Sequence, residues 1–281
     1  MANETSNPLV SVVMATYHGD NITHLKLAVD SILKQSYRNF ELIIVVDGPI
    51  NQIQNAYITE LANQGMVRVL KNNNNKGPAF SRNIGISAAQ GSYIAIMDAD
   101  DISTTDRLSH QLDYILTNTL DIISSYLVVI DEYSLPYGRR EVPISPDSVR
   151  KLAPFRCPLH NPSAFGKSVV FQQLQYSPSL RVSEDYDLWV RALIHGYRLG
   201  NTNHSCVHYR QGHADVSKRI GLEYAISDLK VKYRATALCS FYVRPIVIAV
   251  AIFAGFVRLL PKAFFQIFYG LRKHKFHQSV K

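Results

Sequence analysis

The chain has 281 residues, 47% hydrophobic and 19% charged, enough for an α/β domain with an appendage; collagen-like, low-complexity and wholly disordered readings are excluded. The formal net charge of +8 is unevenly placed: residues 229–281 hold ten Lys or Arg and no Asp or Glu, leaving twenty basic against twenty-two acidic residues before them. A uniformly basic nucleic-acid-binding surface is therefore excluded, and the tail is expected to have its own partner.

The first 130 residues alternate apolar runs of strand length with segments of helical period. Leu9 to Thr16 reads as a strand, and Ile22, Leu25, Val29 and Ile32 form one face of a helix. Phe40 to Val46 is a second strand, followed by a helix with Ile50, Ile53, Tyr57 and Leu61 on its face and a short strand from Val67 to Leu70. Pro78, just after Gly77, takes a first helical position in a segment that Gly91 stops, and Tyr93 to Met97 is the next strand. Ser103 and Asp106 form a capping signal for a helix running to about Thr117, before a strand from Ile122 to Ile130. This alternation predicts parallel pairing through right-handed crossovers, helices on both sheet faces, and ligands at the carboxyl ends of the strands. Thr16, Tyr17, Asp47, Asp98, Asp100 and Asp101 all fall at those ends and are expected to converge on one edge.

The segment MDADD places three carboxylates within four residues, and strand alternation points Asp98 and Asp100 to the same side, with Ala99 opposite. Carboxylates held this close repel unless a cation intervenes, and hard oxygen ligands suit Mg²⁺ or Mn²⁺; the other reading is a polar turn before the next helix. Upstream, Lys76, Arg82 and Asn83 surround a helix start where the cations and free backbone N–H groups could receive the phosphate oxygens of a nucleotide-sugar, or else form an ordinary helix start with solvated Lys76 and Arg82. No GxGxxG follows the first strand, which disfavours a dinucleotide fold. Later, SEDYDLWVRALIHG reads as a helix capped by Ser183, with Tyr186, Trp189, Val190 and Leu193 buried and Glu184 and Asp185 in its first turn, where the helix dipole favours their ionised forms.

The succession SVVMATYHGD, IIVVDGP, NKGPAFSRNIGISAAQGSYIAIMDADDISTTDRLSHQ and SEDYDLW resembles the family 2 glycosyltransferases of GT-A fold, over about residues 9–215. The resemblance implies a mostly parallel nucleotide-binding sheet flanked by helices. It implies that Thr16, Tyr17 and Asp47 hold the nucleoside of a nucleotide-sugar donor, that Asp98 faces ribose and sugar, and that Asp100 ligates Mg²⁺ or Mn²⁺ at the diphosphate. It makes Asp185 the catalytic base beside Glu184 on the acceptor side, and likens CPLHNPSAFGK to an acceptor stretch in which His160 touches substrate. In YRQGHADVS, His213 would join the metal site, although Gly212 interrupts the family's run; VVDGP likewise departs from the commoner DDGS by lacking a neighbouring carboxylate. The implied reaction is inverting, metal-dependent sugar transfer to a hydroxyl, with a lipid-linked saccharide of bacterial polysaccharide synthesis as acceptor. Two other classes are a non-catalytic nucleotide-sugar-binding scaffold, with little use for both acid groups, and a D-x-D phosphatase, which would leave Asp47 and Glu184–Asp185 unexplained.

Three scattered cysteines point to a reducing compartment, and MANETSNPLV lacks a secretory signal pattern, so the body is expected in the cytoplasm. The expected division is a catalytic domain over 1–228 and a basic, apolar tail over 229–281. Within the tail, Pro245 to Val257 carries no charge but is shorter than the roughly 20 residues that span a bilayer. It suits a helix lying in an anionic leaflet, at the cytoplasmic face of the inner membrane; docking on the body or on a second copy is the alternative.

Overall fold

The computed structural model describes residues 7–211 and 221–259. Its elements are β1 (Val10–Thr16), α1 (Ile22–Leu33), β2 (Phe40–Asp47), α2 (Gln52–Asn63), β3 (Arg68–Asn72), α3 (Pro78–Ala88), β4 (Tyr93–Asp98), β5 (Ile102–Ser103) and α4 (Arg107–Thr117). There follow β6 (Ile122–Ile130), β7 (Pro136–Arg140), α5 (Pro146–Leu152), β8 (Phe165–Lys167), α6 (Ser168–Leu174), α7 (Glu184–Ile194), β9 (Leu199–Arg210), α8 (Leu222–Ala235) and α9 (Arg244–Leu259).

The apolar runs become strands because both parities of side chain are covered. Leu42 to Val46 of β2 are all buried, as a strand sandwiched between helix layers requires. Alternation then sorts the residues: Val12, Met14, Ala95 and Met97 share a core with Leu25, Val29, Ile32 of α1 and Leu108, Ile115 of α4. Val13, Ile94 and Ile96 turn the other way, toward Ile86 of α3, Phe171 of α6 and Trp189 of α7.

The strand order is β3-β2-β1-β4-β8-β6-β9-β5, with β7 paired to β6. β1 is parallel to β2 and β4, β2 to β3, and β6 to β9. The expected parallel succession is interrupted between β4 and β6, where the three-residue β8 inserts antiparallel to both. β5 and β7 add antiparallel to β9 and β6.

Two local expectations are corrected. The buried face of α2 is Gln54, Ile58 and Leu61, whereas Ile53 points to solvent. Asn51 and Gln54 close a reciprocal capping box that sets this register, and the Gln54 amide is drawn inward to bond the carbonyls of Tyr17 and Asp20. Ser103 does not cap α4; it lies in β5, accepts from Gln35 and donates to the Thr104 carbonyl, while Asp106 occupies the N-cap but its side chain makes no capping bond.

The boundary expected after position 228 falls inside α8. That helix belongs to the body, since Val231 and Ala235 pack with Leu180 and with Tyr186 and Val190 of α7. Arg234 of α8 pairs with the buried Asp187 of α7, and Asp228 binds Lys232 Nζ at 2.8 Å and Arg258 Nη1 of α9 at 2.6 Å. Among the described residues no helix is long and apolar enough to cross a membrane.

Candidate active site

The carboxyl ends of β1, β2 and β4 carry the loops of the site. After β1, Thr16 Oγ1 and the Tyr17 N–H both donate to Asp20 Oδ2, at 2.8 and 3.0 Å. Burial pushes the Asp20 carboxyl up, the two hydrogen bonds oppose this, and nearby Asp98 adds to it. Thr16 is thus tied into the loop, and Tyr17 lies exposed above it.

After β2, the buried Asp47 knits the next loop to the sheet. Its Oδ1 accepts from Asn72 Nδ2 at 3.0 Å and the Lys76 N–H at 2.9 Å, and its Oδ2 from the Gly77 N–H at 2.8 Å. Gly48 has φ +83°, and a Cβ there would meet the Asn75 backbone nitrogen at 2.6 Å, so both conformation and space demand glycine. The Lys76 ammonium is exposed and lies 4.4 Å from the Phe80 ring centroid.

Arg82 does not stand free as a solvated cation. From the buried side of α3 its Nη2 bonds Asp98 Oδ1 at 2.8 Å and its Nη1 bonds Glu184 Oε1 at 2.9 Å. Burial works against the charged guanidinium, but Asp98 and Glu184 outweigh it and hold Arg82 above the usual arginine range. This one side chain joins the end of β4 to the first turn of α7, reaching Glu184 from 102 positions earlier in the sequence.

β4 ends at Asp98 and residues 99–100 turn, so the alternation expected to align Asp98 with Asp100 stops there. Asp100 is exposed, and its carbonyl accepts from Arg210 Nε at 2.8 Å. Asp101 is fully buried: Oδ1 accepts from the Arg210 N–H at 2.7 Å, while Oδ2 has no partner. Burial first, then Asp100 and Asp98, push the Asp101 carboxyl well above the usual range. Beneath this turn Arg107, itself buried, binds the Ile96 carbonyl at 2.7 Å and Gln111 Oε1 at 2.9 Å.

On α7, Glu184 and Asp185 occupy the first turn as expected, and Trp189 is core, edge-on to Phe171 and Tyr176. Ser183 takes the N-cap position in the left-handed region, φ +63°, without a side-chain cap; that expectation is corrected. Burial and the adjacent Asp185 push Glu184 up to about 6, against the pull of Arg82. Asp185 is half-buried, and its Oδ1 accepts from the Tyr186 N–H at 2.7 Å. His160 Nδ1 lies 3.0 Å from the Ser125 carbonyl, and burial lowers the imidazole to about 4, so it is neutral near pH 7 with Nε2 as its acceptor. His213 lies outside the described residues.

Among the described residues, no three His, Cys, Asp or Glu side chains converge into a metal cage. Mg²⁺ is ordinarily held by one or two carboxylates together with substrate phosphates, and Mn²⁺ favours the same hard oxygens. An exposed Asp100 beside an orphaned buried oxygen of Asp101 fits that donor chemistry.

Asp20, Arg210 and Tyr176 gave no distinct sequence signal of a place in the site. Arg210 is 109 positions from the acid it binds. Tyr176 is held by reciprocal bonds to Asn83, its N–H donating to Oδ1 and its carbonyl accepting from Nδ2, both at 2.8 Å.

Known proteins share this fold. Residues 11–173 match the family described as "Glycosyl transferase family 2". The UDP-Gal:alpha-D-GlcNAc-diphosphoundecaprenol beta-1,3-galactosyltransferase of Escherichia coli is 29% identical over 270 residues, covering 94% of this chain and 95% of that protein. In fold, TarS residues 1–349 of S. aureus in complex with UDP superposes with a TM-score of 0.67 at 14% identity, covering 90% of this chain and 76% of that one. The mannosyltransferase PcManGT of Pyrobaculum calidifontis, in complex with GDP-Man and Mn2+, gives 0.59 at 16% identity, covering 90% and 74%. By the family match over residues 11–173 and the shared fold, the chain is a GT-A glycosyltransferase belonging to glycosyl transferase family 2.

Proposed function

We propose that the protein is an inverting, metal-dependent glycosyltransferase that moves a hexosyl group from a nucleotide-sugar donor to a hydroxyl of a lipid-linked saccharide, in bacterial surface-polysaccharide synthesis. The observation that carries this reading is the meeting of donor-side and base-side acids on one sheet edge, joined through Arg82. Thr16, Tyr17 and Asp47 would frame the nucleoside, with Lys76 toward the diphosphate and Asp98 toward ribose and sugar. Mg²⁺ or Mn²⁺, held by Asp100 and by His213, would supply charge stabilisation to the departing nucleoside diphosphate. Asp185 takes the proton of the acceptor hydroxyl as its oxygen bonds the anomeric carbon, and the bond from that carbon to the diphosphate oxygen breaks. His160, neutral and with Nε2 as acceptor, would orient the acceptor sugar. The inference to a lipid-linked acceptor is supported by the E. coli relative, whose substrate is a diphosphoundecaprenol-linked sugar and which aligns along nearly the whole chain.

The C-terminal segment supports a site at the cytoplasmic face of the membrane, peripheral or monotopic. On α9 only Val247 and Ala251 are buried, while Ile246, Phe253 and Phe256 are 57, 63 and 61% exposed. An apolar outward face within a segment of ten cations and no acids matches an anionic leaflet.

The test is to incubate the chain with UDP-galactose, UDP-GlcNAc and GDP-mannose, with Mn²⁺ or with a chelator, and to measure nucleoside diphosphate release and the anomeric configuration of the product. Metal-dependent release with inverted configuration is expected; retention, or release unaffected by the chelator, contradicts the proposed mechanism.

A further inference from the structure

Arg82 is placed where it acts on the protein's own acids. Its two terminal nitrogens go to different carboxylates on different elements, Asp98 of β4 and Glu184 of α7. The side chains of Arg82 and Glu184 are only 11 and 13% exposed. The guanidinium lies 5.5 Å from the Tyr176 ring centroid, and the adjacent Asn83 grips the Tyr176 backbone, whose hydroxyl bonds Asn161 at 2.6 Å. The groups facing Glu184 are thus Arg82 from α3, Asp185 on its own helix, and Tyr176 from the segment before α7, with Asp98 across the guanidinium. Two consecutive acids at a buried helix start repel each other, and a cation on one of them relieves this without blocking the other. A planar guanidinium can bridge two carboxylates, whereas a lysine ammonium is a single compact charge on a flexible stem.

We propose that Arg82 is a positioning residue: its bridge between Asp98 and Glu184 locks the helix bearing Asp185 against the donor strand and sets the charge of the acid pair. This rests on the glycosyltransferase reading above and deepens it. A residue first expected at the diphosphate instead couples the donor half of the site to the acceptor half.

The experiment uses the full chain with whichever of UDP-galactose, UDP-GlcNAc and GDP-mannose the wild type turns over, reading kcat, KM, the pH profile, affinity for the matching nucleoside diphosphate, and thermal stability. Arg82→Gln is expected to lower kcat about a hundredfold, as misplacement of a reacting group does, with KM and nucleotide affinity nearly unchanged. Its acid limb should move up by about one pH unit or more, because the acids have lost their cation. Arg82→Lys keeps the charge but not the bridge; it should lose kcat with a smaller displacement of the limb. Glu184→Gln should move the limb the opposite way, since Asp185 loses an anionic neighbour, and it supplies the test if Arg82→Gln does not fold. Lost nucleotide affinity with kcat and the acid limb intact would make Arg82 a phosphate ligand and overturn the proposal. A limb unmoved in both neutral variants, whatever the thermal stability, would overturn it too. Absence of turnover by the wild type removes the glycosyltransferase reading and this inference together, whereas wild-type turnover with unmoved limbs removes this inference alone.

Discussion

The donor edge of the sheet and the α8–α9 helix pair use charge and apolar surface in opposite ways. At the edge, acids meet two arginines: Asp98 and Glu184 bond the Arg82 guanidinium, Asp101 accepts from the Arg210 backbone N–H, and the Arg210 guanidinium bonds the Asp100 backbone carbonyl. The apolar residues behind them, such as Ile94 and Ile96, are completely covered. In the helix pair, acids are scarce, with the buried Asp228 holding Lys232 and Arg258, and large apolar side chains face outward along Leu222, Ile226, Leu229 and Tyr233. A sheet edge rich in acid is organised to receive cations and donors of protons, and an apolar surface with surplus positive charge is organised to meet another phase. The link between the two regions is Asp187, two positions beyond the proposed base, which binds Ser177, Arg191 and Arg234.

That link is where the comparison breaks most readily. Asp187→Ala removes the buried anion that holds Arg191 and the more exposed Arg234, and a loss of about 3 kcal/mol is expected in denaturant unfolding; an unchanged midpoint would show that α8 is not held by this pair. Next in size is Gly48→Ala, which forces a side chain into a left-handed position against the Asn75 backbone. A cost of about 1–3 kcal/mol is expected, together with weaker nucleotide binding, because the loop that Asp47 ties down carries Lys76. The smallest effect on stability belongs to the outward face. Replacing Phe253 and Phe256 together with serine should change unfolding by no more than about 0.5 kcal/mol, yet reduce co-sedimentation with phosphatidylglycerol vesicles far more than lowering salt restores it. Undiminished sedimentation would separate α9 from any lipid contact.

The same contrast explains what was legible in sequence. β1, β2 and β4 were readable because strands buried on both faces are continuous apolar runs, and the polar residues ending them had to lie at the carboxyl edge. The face of α2 was not, since Gln54 is drawn inward by carbonyls of a loop more than thirty positions earlier. Caps at Ser103 and Ser183 failed because β5 pairing and a left-handed backbone took those positions instead. The acids at 98–101 and 184–185 were visible as clusters, and Arg82 as a candidate, whereas the pairings were not: Arg210 and Arg82 reach the acids from 109 and 102 positions away, through tertiary packing that no local spacing encodes. In the tail, the charge count was right and the boundary was not, because α8 carries its cations on a helix whose other face completes the core around Tyr186.

The most direct measurement is sugar transfer by Asp185→Asn alongside its affinity for UDP and Mn²⁺. Asparagine keeps the size and the hydrogen bond from the Tyr186 N–H but takes no proton, so transfer should fall by about 10²–10⁴ while nucleotide and metal affinity stay within a few-fold of wild type. Transfer at the wild-type rate would contradict the assignment of the base and, with it, the account of how the two halves of this site work together.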